Sequence, residues 1–211
     1  LTRFQVRTSN LATKNLVGEV VGDVVARGKH LLIRVGDLTL HSHMLMDGAW
    51  HVYRHGARWR RPAHQARVIL ETRQSQVVGF NVAKVALVPT AREELLVGHL
   101  GPDPLQDEWD SGGSERAAAA LQRDPRAVHV ALQDQRNVAG FGNEHANEIC
   151  FLAGVDPATP ATKVDAAALL TLGARLIRAN RNRTRRTTTG VDRPGRRLHI
   201  YGRAGSPCGR C

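Results

Sequence analysis

The sequence is poor in lysine. Lys14, Lys29, Lys84 and Lys163 are its four lysines among thirty basic residues, so arginine carries almost all of the positive charge. Acids are scarce as well. Nineteen Asp and Glu leave a net charge of +11 and a pI near 10.9. No apolar run reaches the length of a membrane span, and no secretory leader opens the chain. A basic helix with a large apolar face is missing too, which argues against an acidic membrane surface as partner. Cys150, Cys208 and Cys211 are too few for a disulfide framework, which predicts a reducing cytoplasm. No internal repeat is present. Leu1 is not a methionine, so a longer polypeptide is expected around the 211 residues.

What is present is enough for a real core. Hydrophobic residues make up 42% of the chain, sufficient for one large domain or two modest ones. A surface this basic attracts polyanions, and nucleic acid is the commonest of them. Arginine suits phosphate because its planar fork donates two parallel hydrogen bonds. A lysine in so arginine-rich a chain therefore stands out, although codon bias alone would give the same imbalance.

Residues 18–87 read as β structure. GEVVGDVVA, HLLIRV, LTLHSH and AWHVY are short runs broken at Arg27-Gly28, Gly36-Asp37 and Asp47-Gly48; ARVILET, QVVGF and KVALV continue the pattern. Such strands with glycine turns predict an antiparallel sandwich or barrel. Residues 89–125, with Pro and Gly breaks and a Ser-Gly-Gly tract, read as a linker with short helices. From Arg126 the pattern turns helical: RAVHVALQDQRNVA, then NEHANEICFLA closed by Gly154, then DAAALLTLGARLIRAN. Nine arginines face a single acid, Asp192, between Arg175 and Arg197.

Three local features carry possible chemistry. In VAGFGN, Val138–Asn143, Gly140 and Gly142 allow positive φ and close approach to the backbone, and Asn143 is placed to cap the next helix. A helix N-terminus is a natural phosphate site; a plain turn that needs two glycines explains the six residues equally well. Cys208 and Cys211 have the spacing of half a tetrahedral zinc site, or of a redox pair. His199 is near, but it reads as part of a strand. Lys29, in ARGKHLLIRV, lies at a turn between strands, where a solvated lysine is the bland alternative. Cys150, in NEICFLAG, reads as a buried thiol.

Together these stretches resemble one family. LQDQRNVAGFGNEHANEICFLAGVDP, Leu132–Pro157, is similar to the helix–two-turns–helix motif of the formamidopyrimidine-DNA glycosylase / endonuclease VIII family. RGKHLLIRV is similar to its lysine hairpin, LHSHMLMDGAW (Leu40–Trp50) to its DNA wedge, and YGRAGSPCGRC (Tyr201–Cys211) to the first half of its zinc finger. The four occur in family order over most of the chain.

The resemblance implies an α+β, multidomain fold: a β-sandwich over 1–115, a helix–two-turns–helix domain over 116–190 and a partial zinc finger over 191–211. It implies a bifunctional DNA glycosylase and abasic-site lyase of base excision repair, monomeric, acting on damaged double-stranded DNA at the nucleoid. Such enzymes flip the damaged nucleotide from the stack. An N-terminal proline amine, with a neighbouring glutamate, attacks the sugar, forms an imine and leads to β,δ-elimination. Neither the Pro-Glu start nor a second cysteine pair lies within Leu1–Cys211. Both are expected in a longer polypeptide; a non-catalytic zinc-finger DNA binder is the alternative. By resemblance Lys29 and Glu148 are catalytic, with a helix-surface acid as the alternative for Glu148. His43, Asn143, Gly140, Gly142 and Arg203 meet DNA. Leu45, Met46 and Asp47 form the wedge, for which sheet core is the alternative at Leu45 and Met46. Cys208 and Cys211 hold a structural zinc with two cysteines further on. The formamidopyrimidine branch carries a long lesion-covering loop before YGR. Here Thr187–Arg203 is short, which favours oxidised pyrimidines, with 8-oxoguanine or formamidopyrimidine as the alternative substrate.

Overall fold

The computed structural model describes residues 1–8 and 11–211. The chain divides into two compact units, Leu1–Gly98 and His99–Cys211. The described residues of the first hold eight strands in two antiparallel sheets. One sheet has the order β1 (Arg3–Val6), β6 (Ala66–Glu71), β7 (Gln76–Phe80), β5 (Ala49–Tyr53). The other has β2 (Val21–Arg27), β3 (His30–Val35), β4 (Leu38–His43), β8 (Lys84–Pro89).

Side-chain alternation explains the sandwich. Phe4, Val6, Val68 and Leu70 from the first sheet meet Ile33, Val35 and Leu40 from the second in one buried cluster. Ile69 points the other way, into a second cluster with Tyr53, Ala66, Val78 and Phe80. Ala66 and Val68 would share a face in a regular strand. An irregularity in the β6–β7 register between them puts them in different clusters. The expected β region thus holds, with one addition: β1, a four-residue strand paired with β6, precedes it.

The stretch expected as a linker with short helices over 89–125 does hold short helices, but they belong to packed structure rather than to a linker. After α1 (Glu94–Val97), Trp109 is buried in the core of the second unit. Then α2 (Gly113–Gln122) turns Ala117 and Leu121, both fully buried, against the same core. The boundary between the units therefore lies before residue 115. The RAVHVALQDQRNVA segment is helical only over α3 (Val128–Ala131). Local side chains draw its backbone away from a helix: Asp134 accepts the Arg136 N–H at 3.0 Å, and Asn137 donates to the Ala131 carbonyl at 3.0 Å. Two turns follow, and then α4 (Asn143–Ala153), closed by left-handed Gly154.

Asp165 opens α5 (Ala166–Asn180) by accepting the Ala168 N–H at 2.9 Å. Ala166, Leu169, Leu170, Gly173 and Ala174 form its buried stripe at helical spacing. Gly173 has to be small: a Cβ there would lie 2.4 Å from the Phe141 ring. Phe141 thereby seats the α3–α4 turn on α5. No helix among the described residues is long and apolar enough to cross a membrane.

Candidate nucleic-acid interface

In the first unit, β2 and β3 are joined by a two-residue turn, with Arg27 paired to His30. Gly28 sits at φ +56 as its first central residue, the glycine position of a type II′ hairpin. Lys29 follows at the tip. It is half-buried, and burial pulls its ammonium below the ordinary lysine value. Strand register brings imidazoles to the same end. His30 lies opposite His43, and His43 opposite Lys84. His30 Nδ1 is 2.7 Å from Nε2 of buried His41, and its ring also meets that of His43 edge-on at 5.0 Å. One of the two bonded nitrogens must lack a proton, so His30 and His41 are not both charged. Burial, then the charges of His43 and Lys84, lowers the His41 value; burial, then Lys84 and Lys29, lowers that of His43. The hairpin end is thus a cationic patch built from two lysines among histidines held toward neutrality.

The β4–β5 loop leaves this patch. His43 Nδ1 accepts the Leu45 N–H at 3.1 Å. Leu45 itself is left-handed, φ +53, a conformation that costs an L-residue about 1–2 kcal/mol. Leu45 and Met46 are 55% and 91% exposed, so they are not sheet core. Gly48 closes the loop, where a Cβ would sit 2.4 Å from the Met44 carbonyl oxygen. Asp47 is exposed and its carbonyl accepts from Arg61 at 2.8 Å.

In the second unit, the VAGFGN turn is held by a residue that sequence reasoning missed. The Gln135 amide donates to the Phe141 carbonyl at 2.8 Å and accepts the Gly140 N–H at 2.9 Å. Gly140 needs its φ of +96. Gly142, not Asn143, occupies the N-cap, in extended conformation. Asn143 is the first helical residue, exposed, with its side chain bonded to His129 and Asn147 rather than to the helix backbone.

Glu148 is neither on a helix surface nor open to a substrate. It is fully buried. Its carboxylate accepts the backbone N–H groups of His199, Ile200 and Tyr201 at 2.9, 2.8 and 2.9 Å, and the Thr188 hydroxyl. Burial alone would raise its pKa; these four donors outweigh it and hold the group below the usual carboxylate value. The same bonds explain why residues 198–201 are not the strand that the sequence suggested. Their N–H groups are taken by Glu148 instead of by a ladder.

Beyond that turn, Arg210 lies 4.5 Å over the Phe151 ring of α4 and donates to the Leu152 carbonyl at 3.3 Å. Cys208 and Cys211 are exposed, and Cys208 Sγ accepts the Arg210 N–H at 3.4 Å. Hydrogen bonds from the Cys211 and Arg210 backbone lower the Cys208 value. N–H donors onto a CxxC sulfur are what a metal-bound thiolate needs, so the pair fits half of a zinc site. Among the described residues no group of three or more His, Cys, Asp or Glu could hold a metal. Cys150 is buried away from this pair, its thiol pushed up to about 11 by burial.

Asn180 ties the arginine-rich loop down by accepting the Thr187 N–H and donating to its carbonyl, both at 2.8 Å. Arg181, Arg183, Arg185 and Arg186 stay exposed. A cavity of about 400 Å³ opens among Glu144, Arg185, Arg186, Arg197, Tyr201 and Arg203.

Known proteins agree with this architecture. Residues 2–86 match the formamidopyrimidine-DNA glycosylase N-terminal domain, and residues 100–186 the formamidopyrimidine-DNA glycosylase H2TH domain. The chain is 49% identical to the "Probable endonuclease 8 2" of Streptomyces coelicolor, over 100% of its own length and 77% of the relative's. It is 40% identical to the "DNA-(apurinic or apyrimidinic site) lyase Nei2" of Mycolicibacterium smegmatis, over 100% and 82%. The fold matches that of MutM in complex with DNA containing carbocyclic 8-oxo-G, with a TM-score of 0.74 and 24% identity over 96% of this chain and 77% of that one. It also matches Lactococcus lactis Fpg with DNA containing an abasic site, at 0.75 and 22% over 92% and 75%. A β-sandwich followed by a helix–two-turns–helix unit is the frame these proteins share. The chain belongs to the formamidopyrimidine-DNA glycosylase / endonuclease VIII family.

Proposed function

We propose that the protein is a DNA glycosylase and abasic-site lyase of base excision repair that removes oxidised pyrimidines from double-stranded DNA. The reading rests on one observation above all: the type II′ hairpin that presents Lys29 beside His43 and Lys84, in a chain with relatives along its whole length named endonuclease 8 and abasic-site lyase. The preference for pyrimidines rests on the shortness of Thr187–Arg203.

Each residue then has a physical task. Lys29 places a cation against the DNA backbone near the reacting sugar, where fixed charge stabilises developing charge. Its lowered pKa makes it exchange a proton more readily than a solvated lysine would. His43 shapes the wedge loop through the Leu45 N–H and approaches the backbone beside Lys29. Leu45 and Met46 enter the stack and fill the place of the extruded nucleotide, with Asp47 at the end of the wedge. Gly142 and Asn143 offer N–H donors to a phosphate at the start of α4, while Gly140, its own N–H held by Gln135, shapes the turn that presents them. Arg203 and the exposed arginines of the 181–186 loop add phosphate contacts that position rather than specify. Glu148 is a positioning residue for the turn that leads to the cysteines. Cys208 and Cys211 would hold a zinc ion with two further ligands, and that ion would fix the finger without taking part in the chemistry. The nucleophile implied by the family, a terminal proline amine, is not among Leu1–Cys211. The working enzyme is a monomer on chromosomal DNA.

The test uses full-length protein on a duplex with one oxidised pyrimidine. Borohydride should trap a covalent protein–DNA complex, and the strand should be cut by β,δ-elimination. Lys29→Ala should keep the fold and lower base excision by about 10²-fold or more. Failure to trap any complex refutes the lyase. Full activity of the Lys29 variant returns that residue to a solvated turn, and faster excision of 8-oxoguanine refutes the substrate preference.

A further inference from the structure

None of the residues assigned so far lies in the loop between β5 and β6. Between Asp47 and Glu71 the chain has five arginines and no acid. Arg54, Arg58 and Arg60 are exposed, and among the described residues none of them is paired with a carboxylate. Arg3 and Arg34 of the same unit differ: each is held by a glutamate, at 3.0 and 2.9 Å.

The loop that carries these charges is held in place. Trp59 packs on the cluster of Tyr53, Ala66, Ile69, Val78 and Phe80. Its ring lies edge-on to Phe80, with centroids 5.6 Å apart, and its Nε1 donates to Gln76. The Tyr53 hydroxyl accepts the Arg60 N–H at 3.1 Å, and Arg7 donates to the Ala63 carbonyl at 2.9 Å. Arg61 donates to the Asp47 carbonyl at 2.8 Å, which ties this loop to the one that bears Leu45 and Met46. Arg58 and Arg60 flank the anchored tryptophan, and a cavity of about 630 Å³ is lined by residues 57–63.

This arrangement suits one kind of ligand. Trp59 is committed to the cluster beneath it, so the loop offers no free ring for a base to stack on. Burial, then the charges of Arg61 and Arg60, lowers the His51 value, so the arginines carry the charge here. Unpaired guanidinium groups on a fixed backbone match phosphate oxygens, and less freedom is lost when they bind. A duplex with Leu45 and Met46 in its stack has phosphates to either side of them, within reach of a loop bonded to Asp47.

We propose that the β5–β6 loop is a second phosphate-binding surface, which grips the DNA backbone beside the wedge through Arg58 and Arg60. It rests on the reading of Leu45 and Met46 as that wedge. Arg61 keeps the two loops in register. The contact positions the duplex and reads no sequence.

The experiment measures equilibrium binding of full-length protein across salt. The probe is a duplex with one reduced abasic sugar, which cannot form an imine. Each phosphate contact contributes about 0.9 to the salt slope. Arg58→Ser with Arg60→Ser should therefore make the slope about 1.8 less steep, and each single change about 0.9. Wild type should bind more tightly at low salt, and its advantage should shrink about 12-fold between about 50 and 200 mM. Arg58→Lys with Arg60→Lys keeps the charge and should keep the slope. Arg92 is exposed just past the Pro89 end of β8, the end away from Lys84, and Arg92→Ser should change nothing. Shortening one flank of the duplex, and not the other, should bring wild type down to the affinity of the serine pair.

An unchanged slope in the serine pair would overturn the proposal. So would an equal drop per charge in Arg92→Ser, or a difference from wild type that survives shortening of either flank. If Leu45→Ala with Met46→Ala loses excision equally on paired and single-stranded DNA, the wedge reading fails, and the placing of this loop beside the wedge falls with it; the salt slope of the serine pair is a separate readout and keeps the two failures apart. Should the serine pair fail to fold, the single changes and the lysine pair still decide.

Discussion

Replacing Glu148 with Gln separates a holding role from a chemical one. The carboxylate spreads four donors over two oxygens: Oε1 takes Ile200 and Tyr201, and Oε2 takes His199 and Thr188. Glutamine keeps one oxygen. With it on Ile200 and Tyr201, the new NH2 faces the Thr188 hydroxyl, which can rotate to accept, and the His199 N–H, which cannot. One buried N–H left unpaired costs about 1–3 kcal/mol, and the remaining bonds lose their charge assistance, about 1 kcal/mol more. The turn should then open with about 2–4 kcal/mol less resistance. At about 1.4 kcal/mol per tenfold, amide exchange at His199, Ile200 and Tyr201 should speed up roughly 30- to 700-fold, while exchange in α5 stays as it was. The pH dependence has a fixed sign. The folded pKa of Glu148 is depressed, so its stabilisation is present above the ordinary carboxylate value and fades as pH falls through the folded one. Protection of the three amides in wild type, taken against the intrinsic exchange rate at each pH, should therefore fall on acidification, and in the Gln variant it should not. Unchanged exchange in Glu148→Gln together with lost strand cleavage would refute the holding role and return Glu148 to the chemistry.

Two further perturbations address the wedge and the finger. Leu45→Ala with Met46→Ala should spare duplex affinity but slow excision from paired DNA more than from single-stranded DNA, which has no hole to fill; equal loss on both substrates, in parallel excision assays, would remove the wedge assignment. Full-length protein should carry one equivalent of zinc by metal analysis, and chelation should weaken duplex binding while the α2–α5 core keeps its circular dichroism; less than one equivalent counts against the site.

The strands were legible because their alternation is local. HLLIRV and LTLHSH carry their own pattern and glycine turns, and β3 and β4 follow it. β1 was not, because RFQV is only four residues long and its reason to be a strand is pairing with β6, more than sixty residues on. That α2 belongs to the core rather than to a linker was hidden for a related reason. AAAA next to Ser-Gly-Gly has a weak stripe, and burial of Ala117 and Leu121 against α5 makes the helix. The failed strand near His199 and the shortened α3 share a cause. In each, a side chain competes for backbone groups, and no window of sequence shows which one.

The candidate site divides along the same line. Residues whose setting is local could be placed directly, Lys29 after Gly28, Leu45 and Met46 before Gly48, Cys208 and Cys211 at their spacing, while the roles proposed for Lys29, Leu45 and Met46 came from the family resemblance. Their partners could not. His41 reaches His30 only through the register of β3 and β4, and Gln135 reaches Phe141 only because the chain folds back between two helices. Helix α4 gathers the rest. Asn143 and Asn147, four residues apart, are bonded to each other at its start. One residue on, Glu148 points inward and pins residues 199–201. Phe151, four beyond Asn147, supports Arg210 between the two cysteines. A rotation of α4 by one residue would bring Glu148 toward solvent and set Asn147 inward without partners. The Asn143 side chain and the approach to the cysteine pair are therefore carried on one element, which its packing against α5 keeps from turning. Gly173, with Phe141 and Ile149 against it, is where that rotation is blocked, since only a bare Cα lets both side chains seat at once.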